Sequence, residues 1–243
     1  MSLPTPSDDW ALFLDFDGTL VNLADAPDAI VVDPSLPEVL RRLRAGLDGA
    51  LAIISGRPIE QIDRYLHDAV PVVAGQHGME RRDGQGVLHH DPVPEHALAA
   101  ARVLLAPFIA RHPGLLLEDK GASLVLHYRQ APELAAECER QARNIATNSG
   151  GELTVQDGKM IFEIKSDGQH KGDAVAYFMQ EPPFQGRTPV FAGDDVTDEA
   201  GFAIVNRMGG ISIRVGDGAA SAARYRAPGV AGLFAWLKAF PDA

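Results

Sequence analysis

The sequence predicts an α/β fold: a parallel-sheet core in two pieces, with a smaller α+β unit inserted between them. Two observations carry that prediction. Residues 11–14, 50–54 and 70–74 are short, continuous apolar runs separated by helical patterns, as expected of strands buried on both faces. The same alternation returns from Lys171 onward, after an interval that reads helix, hairpin, helix, hairpin. Parallel strands joined this way need right-handed crossovers, and ligands of such sheets gather at the carboxyl ends of the strands.

Each element has a local reason. The first run, 11–14, ends in acidic residues and Gly18, and a helix follows over 37–47 with Val39, Leu40, Leu43 and Leu47 on one face. The second run stops at Ser55-Gly56-Arg57-Pro58, where Pro58 opens a helix carrying Ile59, Ile62 and Leu66. The third closes at Gly75. Beyond a polar turn at 82–86, a long helix is expected over 94–111, then strands over 115–118 and 123–128 around Gly121. A helix over 132–148 and strands over 152–156 and 160–165, flanking Asp157-Gly158, complete the insertion. The core resumes with a helix over 172–179, a strand over 189–192, a helix over 198–205, a strand over 210–215 and a last helix over 230–240. The expected boundaries are 1–84 and 166–243 for the core and 85–165 for the insertion.

Composition limits what such a chain does. At 243 residues, 46% apolar and 23% charged, it is long enough for an adequate core and ordinary for a soluble globular protein. The net charge of −11 argues against nucleic acid or an anionic membrane as a partner. The same acidic field means that an anionic substrate needs a metal or local cations. Cys138 is the one cysteine, which excludes an internal disulfide and fits a reducing compartment. Residues 1–9 have no basic start and no apolar run, so no leader and no membrane span are expected, and a cytoplasmic location is.

The most informative segment is Asp15-Phe16-Asp17-Gly18-Thr19, directly after the first strand. Two carboxylates facing one small site repel each other unless a cation separates them or one takes a proton. A solvated acidic turn or a calcium-binding loop is the plainer alternative. A second acidic cluster, Gly193-Asp194-Asp195-Val196-Thr197-Asp198-Glu199, ends a later strand. Helix capping explains Asp198 or Glu199 but not the recurrence of acidic chemistry at two strand ends. Hard oxygen ligands from two strand ends suit magnesium. Ser55 could offer a hydroxyl and neighbouring N–H groups to a phosphoryl oxygen. Lys171, in His170-Lys171-Gly172, is a cation at a helix start, an unfavourable place that points to an anion nearby. His77 has no His or Cys partner at metal-binding spacing and reads as structural or substrate-facing.

In this order, Asp15-Phe16-Asp17-Gly18-Thr19, Ser55, Lys171 and Gly193-Asp194-Asp195 resemble the motifs of the haloacid dehalogenase superfamily of phosphotransferases. The insertion matches that superfamily's C2-type cap, on a Rossmann-like parallel-sheet core. A closer similarity, to the trehalose-6-phosphate phosphatase family, rests on Ser55-Gly56-Arg57, Gly75-Gln76-His77-Gly78, Glu118 to Ser123 continuing to His127-Tyr128-Arg129, His170-Lys171-Gly172 and the second acidic cluster. The resemblance implies a magnesium-dependent phosphatase that hydrolyses trehalose 6-phosphate through an aspartyl-phosphate. It implies Asp15 as nucleophile and Asp17 as acid and base, with Ser55 and Lys171 holding the phosphoryl oxygens. It implies Mg2+ held by Asp15, the carbonyl of Asp17 and Asp194, with Asp195 and Asp198 in support. Substrate contacts are assigned to Arg57, Gln76, His77, Gly78, Glu118, Lys120, His127, Arg129 and Glu163. Glu118 and Lys120, two apart on a strand, project to one face, where an exposed ion pair is the alternative to sugar binding. A monomer acting on a small sugar phosphate is expected. The alternative is another sugar-phosphate phosphatase or a phosphomutase of the same superfamily.

Overall fold

The computed structural model describes residues 3–24, 26–166, 168, 170–218 and 220–240, so Met1 and Ser2 of the N-terminal stretch lie outside it. The chain divides into two compact units, Met1–His90 with Gln169–Ala243, and Asp91–Gly168.

The first unit begins with β1 (Trp10–Leu14), α1 (Leu36–Gly46), β2 (Leu51–Ile54), α2 (Ile59–Leu66) and β3 (Val73–Gly75). A hairpin of β4 (Glu80–Arg82) and β5 (Leu88–His90) follows and pairs antiparallel onto β3. The second unit holds α3 (Glu95–Ala110), β6 (Leu116–Asp119), β7 (Ser123–His127), α4 (Ala135–Asn148), β8 (Leu153–Gly158) and β9 (Ile161–Ser166). The chain then returns to the first unit through α5 (Lys171–Phe178), β10 (Thr188–Gly193), α6 (Glu199–Arg207), β11 (Ile211–Val215), β12 (Tyr225–Ala227) and α7 (Gly229–Lys238).

The sheet of the first unit has the order β12-β11-β10-β1-β2-β3-β4-β5, with the first six strands parallel. β1 and β2 are buried along their whole length, which is why they read as unbroken apolar runs. From β1 the chain builds outward through β2 and β3, then returns to β10 on the other side of β1. The C-terminal ends of β1 and β10, aligned by Leu14 opposite Ala192, therefore flank the point where the strand order reverses. Helices supply the second layer: Leu36, Val39, Leu40 and Leu43 of α1 are buried. Phe13 of β1 stacks on Phe184 at 5.3 Å and on Phe178 of α5 at 6.2 Å.

The expected boundary after residue 84 falls inside the β4–β5 hairpin. Sheet pairing keeps that hairpin with the first unit, and the chain leaves it after His90.

In the second unit the sheet order is β6-β7-β9-β8, all antiparallel. Leu124, Leu126, Phe162 and Ile164 share one face and pack in a core with Ala101, Leu105 and Phe108 of α3 and Cys138 and Ala142 of α4. The alternate residues Glu118, Val125 and Glu163 form one row on the other face.

Candidate active site

Three adjacent strands of the first unit lead into the predicted residues: β2 (ending at Ile54) into Ser55, β1 (ending at Leu14) into Asp15, and β10 (ending at Gly193) into Asp194. Backbone pairing carries each strand to its last residue. Asp15 N–H donates to the Ala192 carbonyl at 2.9 Å, and Ser55 N–H to that of Ala74 at 2.9 Å. Just past β1 the chain winds back on itself, with Leu20 and Val21 N–H donating to the Phe16 carbonyl at 2.9 and 3.1 Å. Gly18 permits this: its φ is +78°, and a Cβ there would collide with the Asp194 carboxylate.

Lys171 is the centre of the arrangement. It is the first residue of α5, whose N-terminus is closed by a capping box between His170 and Asp173. Its buried ammonium donates to Asp15 Oδ1 at 2.6 Å and to Asp198 Oδ1 at 2.7 Å. The anion expected near this lysine is thus a pair of carboxylates. Asp198 Oδ2 accepts from the backbone N–H groups of Asp194 and Asp195, both at 2.9 Å. Asp198 thus has a partner on each oxygen and holds the acidic loop in shape. Asp195 Oδ1 caps the following turn, accepting from Val196 N–H at 2.6 Å.

Asp15, Asp194 and Asp198 each offer an oxygen, and these lie within 4.8 Å of one another. Burial pushes the Asp15 carboxyl well above its ordinary range, opposed by Lys171 and reinforced by Asp198 and Asp194. Burial and the Asp198 charge push Asp194 up to about 7. For Lys171, burial alone would favour the neutral amine, but Asp15 and Asp198 more than reverse it and hold the ammonium charged. One cation thus faces three carboxylates. A hard divalent cation fits this all-oxygen set, and it answers the repulsion that raises Asp15 and Asp194.

Asp17 lies apart from that cluster, half-buried, with both oxygens held by Arg57: Nε to Oδ2 at 2.6 Å and Nη2 to Oδ1 at 2.8 Å. Arg57 also donates from Nη1 to Gln61 Oε1 at 3.1 Å. Ser55 Oγ accepts from Arg57 N–H at 3.1 Å and keeps its own proton to donate. Gln76 and His77 have φ of 48° and 61°, the left-handed region. Their N–H groups donate to the carbonyls of Arg57 and Ser55 at 3.0 and 2.9 Å, which ties the end of β3 to the end of β2. The buried His77 ring lies against Gly56, where a Cβ would be 2.6 Å from Nε2. Gly78 closes this turn with φ of 110°.

Glu118, Lys120, His127, Arg129 and Glu163 belong to the second unit. Glu118 Oε2 lies 2.9 Å from His127 Nε2, and Lys120 Nζ 3.7 Å from Glu163 Oε1, which also accepts from the Ser123 hydroxyl at 2.6 Å. Arg129 Nη2 donates to the Lys159 carbonyl at 3.5 Å. Glu118 thus pairs with His127 and Glu163 with Lys120 and Ser123, and Glu118 and Glu163 lie on the face opposite the apolar core of that unit.

Sequence reasoning did not single out Gln61, Glu80 or Arg214. Glu80 Oε1 accepts from Ile59 N–H at 2.7 Å, at the start of α2. Arg214 Nη1 donates to the Asp195 carbonyl at 3.2 Å and to Glu199 at 3.3 Å, bracing the acidic loop. Nothing in their sequence neighbourhoods marks these contacts, which span 15 residues or more for Glu80 and Arg214.

Known proteins share both this sequence and this fold. The chain is 44% identical over 235 residues to the trehalose-6-phosphate phosphatase of Escherichia coli (strain K12), covering 97% of this chain and 88% of that protein. It is 46% identical over 216 residues to a Sinorhizobium fredii protein named "probable trehalose-phosphate phosphatase", covering 88% of this chain and 81% of that one. The C-terminal domain of C. albicans trehalose-6-phosphate phosphatase matches the fold with a TM-score of 0.83 at 20% identity, over 93% of this chain and 90% of that one. The family model described as trehalose-phosphatase matches residues 13–230, which take in every strand end described above, and the chain belongs to the trehalose-phosphatase family.

Proposed function

We propose that this chain hydrolyses trehalose 6-phosphate to trehalose and phosphate, with magnesium as its cofactor. The observation that carries this reading is the buried Lys171 bridging Asp15 and Asp198 at 2.6 and 2.7 Å, with Asp194 beside them, at adjacent strand ends. The names of the 44% and 46% identical relatives supply the substrate.

The Asp15 carboxylate would attack phosphorus. An Asp15 O–P bond forms as the bond from phosphorus to the sugar oxygen breaks, which divides one hard displacement into two easier ones. Asp17 would give a proton to the departing sugar oxygen, then take one from the water that hydrolyses the aspartyl-phosphate. Lys171 and the Ser55 hydroxyl would hold phosphoryl oxygens and stabilise their charge. Asp15, Asp194 and the carbonyl of Asp17 would hold the magnesium, with Asp198 and Asp195 shaping the loop around them. When bound, magnesium supplies the positive charge that lets an ionised carboxylate meet an ionised phosphate. The polar side chains Glu118, Lys120, His127, Arg129 and Glu163 of the second unit would recognise the sugar hydroxyls. Gln76, His77 and Gly78 would form the rim of the site, beside the Arg57–Asp17 pair.

No described helix is long and apolar enough to cross a membrane, and with one cysteine the chain suits a cytoplasmic location. The direct test is phosphate release from trehalose 6-phosphate with and without magnesium, beside a panel of other sugar phosphates. Release that requires magnesium and favours trehalose 6-phosphate is expected. Equal rates across the panel would leave a general sugar-phosphate phosphatase instead.

A further inference from the structure

We propose that Arg57 is the positioning residue of the acid–base carboxylate Asp17, held in place by Gln61 and Tyr65, and does not itself grip the substrate; this rests on the acid–base role proposed above. The guanidinium meets both oxygens of Asp17 in a two-point fork, at 2.6 and 2.8 Å. Its remaining edge is anchored by Gln61 at 3.1 Å, and its face lies 5.4 Å from the Tyr65 ring and 5.9 Å from the Phe16 ring. Gln61 and Tyr65 stand four apart on α2, so one helix face carries both supports. The Arg57 backbone is fixed as well, its N–H by Ser55 and its carbonyl by Gln76.

The side chain of Arg57 is 8% exposed and that of Asp17 30%. Arg57 thus presents little surface to a ligand, whereas Asp17, on the loop after β1, remains accessible. A short carboxylate on a loop has several rotamers open to it, and proton transfer demands one of them. A displacement of about 1 Å in a reacting group costs on the order of 100-fold in rate. The Arg57 fork removes that freedom.

Proton donation by Asp17 matters in proportion to the basicity of the leaving group. A p-nitrophenolate leaves without a proton, but a phenolate or a sugar alkoxide needs one. The test is kcat/KM for aryl phosphates from p-nitrophenyl to phenyl phosphate, since that constant reports the steps up to departure of the leaving group. Wild type, Asp17→Asn, Arg57→Lys and Gln61→Ala are compared at saturating magnesium. Arg57→Lys keeps the charge but loses the fork. It should lower kcat/KM for phenyl phosphate about 10- to 100-fold and for p-nitrophenyl phosphate less than about threefold, which steepens the dependence on leaving-group basicity. Gln61→Ala, which leaves the Asp17 pair intact, should shift in the same direction by less. Arg57→Lys added to Asp17→Asn should change the slope no further.

A uniform drop across the series in Arg57→Lys, with Asp17→Asn steep, would overturn the positioning role while leaving the acid–base role standing. Such a drop is what gripping the phosphate or a merely structural part produces. If Asp17→Asn itself shows the wild-type slope, the acid–base role fails and this inference fails with it. Should Arg57→Lys not fold, Gln61→Ala decides alone: an unchanged slope overturns the proposal.

Discussion

At the scale of single residues, the centre of the site is an electrostatic conflict held in place by hydrogen bonds. Asp15 and Asp194 both sit where burial disfavours their ionised forms, and the charge of Lys171 is shared between Asp15 and Asp198. If Asp15 is the nucleophile, Asp15→Asn, which keeps the shape and removes the charge, should abolish phosphate release with the fold intact. Turnover by a well-folded Asp15→Asn protein would remove it as nucleophile. Asp194 yields a second expectation through linkage. Its pKa rises from 3.8 to about 7 on folding, so between those values the folded, metal-free chain binds more protons than the unfolded one. Metal-free stability should therefore fall as pH rises through that window. Asp15 acts in the same sense, and Lys171, whose pKa is likewise raised, titrates at alkaline pH, outside the window. In EDTA the protein should melt at a lower temperature at pH 8 than at pH 5. Asp194→Asn should flatten that difference and stabilise the metal-free protein at pH 8 by about 1–2 kcal/mol. Identical melting profiles for the two proteins would contradict this.

At the scale of elements, strands buried on both faces were legible and the short strands toward the edges of the sheet were not. β1 and β2 are continuous apolar runs because neither face meets water, and both fall within a residue of the predicted spans. β4, β5 and β12 have three residues each and are half-buried or exposed along much of their length. Too short to show alternation, they exist because an existing sheet edge offers them partners. The turns between elements are where packing constrains sequence most. Gly56 is one such position, since the His77 ring occupies the space a side chain would need. Gly56→Ala should destabilise the protein by about 1–3 kcal/mol, read from denaturant melts. An unchanged midpoint would mean that the His77 turn moves aside at no cost.

At the scale of the whole molecule, an inserted unit with its own apolar core allows chemistry and recognition to be carried by different parts of the chain. If they are, Glu118→Ala, Lys120→Ala and Glu163→Ala should each lower kcat/KM for trehalose 6-phosphate about 10- to 150-fold. A small ester with no sugar to hold should lose far less. Lys171→Ala should damage both substrates alike. Equal losses on both substrates in the second-unit variants would mean that those residues only hold their own sheet together. Chelation should stop turnover and magnesium should restore it, since three clustered carboxylates repel an anionic phosphate without a cation. Activity that persists in EDTA would remove the metal from the reaction.

The sequence by itself determined the class of fold, the succession along the chain of the strands that bear the site, and the residue types at their ends. Hydrophobic periodicity is a local property, and so are the turn residues that stop each strand. It also placed Lys171 beside an anion, because a cation at a helix start needs a reason. Only the tertiary structure decided how those residues divide their contacts. Asp15 and Asp198 share one ammonium over separations of 156 and 27 residues, and Arg57 reaches 40 residues back to Asp17. It also decided that Asp198 braces the acidic loop through two backbone N–H groups, and that His77 packs on Gly56. Such pairings follow from which strand ends lie side by side in the sheet, and adjacency in a parallel sheet is set by crossovers that no local pattern encodes.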